Sequence, residues 1–153
     1  LTLIGADRIF NGFGDCHGSD DGNGKRMDGL EINGAGLLKT NAGTLKNIRI
    51  YSGNMDASGE MFAGSLCGTN NGTIVACFNE ARLANGDGII GGICGLNHMD
   101  GQIIDCLNTG TVLQGTNVGG IAGENRNNYD GAIRASVNKG ILKSLAIMPS
   151  VIC

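Results

Sequence analysis

The sequence predicts an all-β fold, a single-stranded parallel β-helix (β-solenoid) of four to five coils with 27–30 residues per coil. Three observations predict it. The first is composition: 28 glycines and seventeen asparagines stand against one proline, no tryptophan and 4% aromatics in 153 residues. Glycine has no three-residue period, which excludes collagen. A hydrophobic content of 41% with a net charge of -3 excludes a solvated coil. Gly and Asn in such numbers weaken helix interiors, which excludes a helical bundle. The second is a fourfold internal repeat. The third is that apolar pieces of two to six residues alternate with Asn-x-Gly punctuation, too short for helices and suited to strands joined at tight corners.

The repeat has three recurring pieces. Gly43-Thr44-Leu45 returns as Gly72-Thr73-Ile74, Gly101-Gln102-Ile103 and Gly131-Ala132-Ile133, at spacings of 29, 29 and 30 residues. Gly36-Leu37-Leu38 returns as Ser65-Leu66-Cys67, Gly92-Ile93-Cys94 and Gly120-Ile121-Ala122, and each copy reaches an asparagine: Asn41, Asn70, Asn97 and Asn125. A third piece begins at Asn79, Asn108 and Asn138. With about three strands per coil and coils stacked about 4.8 Å apart, equivalent positions form ladders through the core. The expected ladders are Leu45, Ile74, Ile103, Ile133; Leu37, Leu66, Ile93, Ile121; and Leu83, Val112, Leu142. Leu66, Ile74, Ile93, Ile103 and Ile121 are expected to be almost fully buried. Two further ladders are small or sulfur-bearing: Leu38, Cys67, Cys94, Ala122 and Ile48, Cys77, Cys106, Ser136. Asparagine side chains at Asn70, Asn97 and Asn125 are expected to bond along the coil axis, as stacked amides do elsewhere. Insertions are expected at one corner, after the repeat asparagine, where His98 sits as a turn residue. Residues 1–33 read as a cap or irregular leading coil, 34–146 as the solenoid, and 147–153 as an exit or the start of a further coil.

The segment Gly91-Gly92-Ile93-Cys94-Gly95-Leu96-Asn97, followed by Gly101 to Val112, resembles the GLUG repeat, as does Gly119-Gly120-Ile121-Ala122-Gly123-Glu124-Asn125. The resemblance spans about Gly34 to Leu142. It is weakest in the first unit, where Lys39 replaces the glycine found at Gly68, Gly95 and Gly123. It implies a β-solenoid of a large secreted or surface-attached bacterial protein of the adhesin kind, and it brings no catalytic residues with it.

Charge and hydropathy narrow the partners. Eleven Lys and Arg against fourteen Asp and Glu, with no basic run, argue against nucleic acid and anionic membranes. No apolar stretch approaches the length of a membrane span. Cys67 and Cys94, like Cys77 and Cys106, occupy equivalent positions of adjacent coils. They lack the paired spacing of a metal site, and in-register side chains make poor disulfide geometry, so they read as small apolar core residues. The densest polar stretch, Asp15 to Gly24, offers Asp15, Asp20, Asp21 and Asn23 to a calcium ion. Read as an EF-hand, however, it places Leu30 where the bidentate glutamate belongs. Cys16 and His17, adjacent on an extended chain, point to opposite sides and do not form a nucleophile with its base. No other cofactor is implied.

The expected function is non-catalytic: a structural or adhesive domain, extracellular or on the bacterial surface, with a host or bacterial glycan or protein as partner. One alternative is head-to-tail stacking of copies, since Ser150-Val151-Ile152-Cys153 resembles the start of another coil and Leu1-Thr2-Leu3-Ile4 the piece that would follow. Another is a glycan-processing β-helix. Against it, Glu60, Asp87, Asp105, Glu124 and Asp130 do not recur at one register.

Overall fold

A corner closes wherever an asparagine bonds its own backbone two residues on, and the chain turns at each such point. The computed structural model describes residues 13–127 and 133–144. It is an all-β parallel solenoid of about four turns with about 28 residues per coil, and no helix occurs among the described residues. One coil runs Leu38–Asn41, Thr44–Lys46, Arg49–Ile50, Gly53–Asp56 and Phe62–Gly64. Each strand pairs in parallel with its equivalents above and below, giving four five-stranded sheets and one three-stranded sheet. We call these the first to fifth sheets in the order that the coil meets them.

The coil therefore has five strands, where the sequence predicts three. The extra breaks come from residues in the left-handed region. Asn47, Ala76, Asp105 and Ala135, with φ of 54°, 53°, 54° and 49°, form a column between the second and third sheets. Asn85 and Gln114 form a shorter one after the fourth. Only two residues separate some of these corners, which is too few for a periodicity to register. Because Ala76 is exposed and carries a Cβ into a conformation that costs about 1–2 kcal/mol for an L-residue, Ala76→Gly is expected to stabilise the fold by about 0.5–1 kcal/mol. Chemical denaturation of the two proteins checks this, and no gain would mean that the corner is not left-handed.

The ladders pair as the repeat predicts. Leu45 faces Ile74, Ile74 faces Ile103 and Ile103 faces Ile133. Leu38, Cys67, Cys94 and Ala122 run in register, as do Leu83, Val112 and Leu142. Leu66, Ile74, Ile93 and Ile103 are fully buried. Ile121 is not: it and Ile133 are half-buried, and Asn125 is exposed. These residues belong to the last described coil, which packs against described neighbours on one side only.

Residues 13–33 form a coil in register with the next, through Phe13–Cys16, Ser19–Asp21, Arg26–Met27 and Leu30–Asn33. Its interior is different in kind. Asp20 stands on the Leu45 ladder and Cys16 on the Asn41 ladder. A cavity of about 320 Å³ lies here, lined by Asp15, Cys16, Asp20, Asp21 and Met27 over Leu37, Leu38, Leu45 and Ile48. Corner length also varies in a second place, between the fourth and fifth sheets, where residues 57–61, 85–88 and 114–116 link the strands. Leu1 to Ile4, Asp130 and 147–153, with Cys153, lie outside the described residues.

Candidate functional site

The residues that recur most faithfully turn inward. Asn41 donates from Nδ2 to Asn70 Oδ1 at 2.8 Å, Asn70 to Asn97 at 2.8 Å and Asn97 to Asn125 at 2.9 Å. A second column runs from Asn79 to Asn108 and on to Asn138, both at 2.8 Å. In each column the amide also clamps its own corner. Asn70 Oδ1 accepts the Gly72 N–H at 3.3 Å, and its Nδ2 reaches Gly72 O at 3.2 Å. The buried amides are thereby supplied with partners both along the axis and around the coil, which burial at 0% exposure demands. After Asn41, Asn70, Asn108 and Asn138 a glycine stands two residues later; at Gly72 a Cβ would lie 2.1 Å from Gly43 O.

The cysteine columns are equally internal. Cys67, Cys77, Cys94 and Cys106 are buried free thiols. Cys77 donates to Val75 O at 3.3 Å and Cys106 to Ile104 O at 3.3 Å. The neighbouring Cys94 thiol and burial push Cys67 well up, and Cys106 with burial does the same to Cys77. Cys16 is only half-buried and donates to Asp20 Oδ2 at 3.2 Å, so its partner is a carboxylate and not His17. Burial first, and then that carboxylate, raise its pKa. In a Cys153→Ser background one thiol is therefore expected to alkylate in the folded protein, more slowly than an ordinary exposed thiol at the same pH and faster as pH rises, with the other four reacting only on unfolding. A second fast thiol would contradict the cysteine columns.

Three of the four calcium candidates, Asp15, Asp20 and Asp21, line the cavity of the first coil. Asp20 lies over the core ladder, while Asp21, the next residue on the strand, is held by other partners. Asp21 Oδ1 accepts the Asn23 N–H at 2.7 Å and Asn47 Nδ2 at 3.1 Å, and Lys46 Nζ lies 3.2 Å from Oδ2. These contacts, led by the Asn23 N–H, hold its carboxyl below the usual range. Among the described residues no three His, Cys, Asp or Glu side chains converge on one point. Of the carboxylates weighed for catalysis, Glu60 and Asp87 share the corner between the fourth and fifth sheets, where Gly59 N–H reaches Asp87 at 3.4 Å. Asp105 sits at the left-handed column beyond the second sheet, and Glu124 lies in the first sheet beside Arg126.

The outer side of the third sheet carries the feature that repeat analysis misses. Arg26, Arg49, Phe78, Leu107 and Val137 follow one another in register up the stack. Tyr51 packs diagonally on Phe78, ring centroids 4.9 Å apart, and the Arg26 guanidinium lies 4.2 Å from the Tyr51 ring centre. The spacing and tilt suit an aromatic pair, and the cation over a ring face adds to it. Tyr51 and Phe78 are half-buried. Its residues come from different coils and do not repeat, so only register arithmetic would bring them together. No helix among the described residues is long and apolar enough to cross a membrane. No family model, curated protein or solved structure matches the chain. Its likeness to known architecture is that of a parallel β-solenoid.

Proposed function

We propose that this chain is a non-catalytic, GLUG-like scaffold module of a secreted or surface-attached bacterial protein, adhesive through the side of its third sheet. The observation that carries this reading is the Arg26–Tyr51–Phe78 platform on the outside of a rod whose repeated residues are all spent on holding the coil. Two half-buried rings inclined at 52° to one another, beside guanidinium groups, suit the C–H face and hydroxyls of an extended glycan. Arginines at Arg26 and Arg49 supply hydrogen-bond donors at its edge. The partner class is therefore a polysaccharide, host or bacterial.

A panel of host and bacterial polysaccharides, screened for binding and for new chain ends, tests this. Binding is expected without turnover, and the double variant Tyr51→Ala/Phe78→Ala is expected to lose it while keeping its strand spectrum. Equal binding by the double variant, or no binding to any glycan, would overturn the adhesive reading. Turnover abolished by one carboxylate substitution would instead make the protein a glycan-processing β-helix.

A further inference from the structure

The first and last described coils differ in charge, and among the described residues their strands have no partner toward opposite ends of the stack. Phe13–Cys16, Ser19–Asp21, Arg26–Met27 and Leu30–Asn33 have described partners on one side, and so do Ala122–Asn127, Ile133–Arg134, Val137–Asn138 and Leu142–Lys143. Open edges of this kind template further pairing. Residues 13–33 hold five carboxylates against two Lys or Arg, whereas 122–144 hold two carboxylates against four. The last coil also leaves a core-row side chain in the open: Leu142 is 41% exposed, whereas Val112, its partner in the coil before, is fully buried.

We infer that copies of this chain dock head to tail, the acidic first coil of one on the basic last described coil of the next. The strand register makes the contact specific. Asp21 shares its row with Lys46, Val75, Ile104 and Arg134, so one more layer in phase puts Asp21 of the second copy over Arg134. Within one chain the same row already pairs Asp21 with Lys46 across adjacent coils at 3.2 Å. Met27 shares its row with Asn138, which brings the next residues, Asp28 and Lys139, together. Ile32 shares its row with Leu142, so the exposed Leu142 gains an apolar cover. Asp15 over Glu124 is a like-charge meeting, softened by Arg126, which already pairs with Glu124. The same register sets Asp20 over the half-buried Ile133, a cost that the paired charges and the Leu142 contact have to exceed. A head-to-tail contact that continues the stacking axis of the coils does not close into a ring, and its product is an open filament.

Light scattering of the full chain across a concentration series tests this. Mass is expected to grow with concentration at low salt and to fall as salt screens the pairs. Arg134→Glu/Lys139→Glu and, separately, Asp21→Lys/Asp28→Lys are each expected to weaken association by about ten-fold or more. An equimolar mixture of the two reversed proteins is expected to regain it, because each then meets a complementary face. Should the acidic-face variant fail to fold, the basic-face variant and the salt dependence decide. A monomer at every concentration, as when the chain's own terminal residues close these faces, overturns the inference. So does association indifferent to reversal, or a mixture that does not recover it.

Discussion

Asn70→Ala is expected to cost about 5 kcal/mol, a loss comparable with the whole stability of an ordinary domain. The reason is the number of buried groups that one amide serves. Asn41 Nδ2 loses its strongest acceptor, Asn97 Oδ1 loses its donor from below, and the Gly72 N–H loses its side-chain acceptor. Each buried group left unpaired costs about 1–3 kcal/mol. Asn70→Asp separates hydrogen bonding from shape. An ionised carboxylate there still accepts from Asn41 but sets a second oxygen against Asn97 Oδ1, with its charge fully buried. Its folded pKa is expected to rise above the unfolded value of about 3.9. The sign follows: the variant is most stable below that value, where the protonated acid donates to Asn97 as the amide does, and it loses stability as pH climbs through the raised pKa. Wild type has no such loss at this site. Urea unfolding at several pH values measures both effects, and a nearly neutral Asn70→Ala would mean that the amides are not stacked.

Ile103→Ala is expected to cost about 4 kcal/mol, near the upper part of the range for deleting a buried aliphatic side chain. Ile103 has no exposed surface and sits between Ile74 and Ile133 in the middle of its column. The backbone on each side is fixed by parallel pairing, so the cavity has little room to collapse. Ile133→Ala removes the same atoms from a half-buried position and is expected to cost about half as much or less. Similar losses at the two positions would place Ile133 deeper in the stack than its exposure indicates.

Much of this fold is legible in the sequence because a solenoid writes its register along the chain. A repeat of about 29 residues places Ile74, Ile103 and Ile133 in one column, and the structure pairs them so. Residues that break the repeat are less legible. Asp20 occupies the Leu45 row, and nothing in the local stretch from Asp15 to Gly24 distinguishes a core-facing aspartate from a loop one. Two-residue strands such as Phe78–Asn79 are too short for alternation to show, so three strands are expected where five exist. The second variable corner escapes notice because its lengths change by one or two residues at a time, without a motif to anchor it. The third-sheet platform is legible only after the register is known, because Tyr51 and Phe78 meet diagonally across two coils.

Stacking in register is the claim on which the ladders, the platform and the docking of copies all depend. Methyl nuclear Overhauser contacts in a protein labelled only at isoleucine test it most directly. With coils about 4.8 Å apart, strong contacts are expected between Ile74 and Ile103 and between Ile103 and Ile133, with Ile74 to Ile133, two layers apart, much weaker. Absence of the Ile74–Ile103 contact, or an Ile74–Ile133 contact as strong as either neighbour pair, would contradict the solenoid described here.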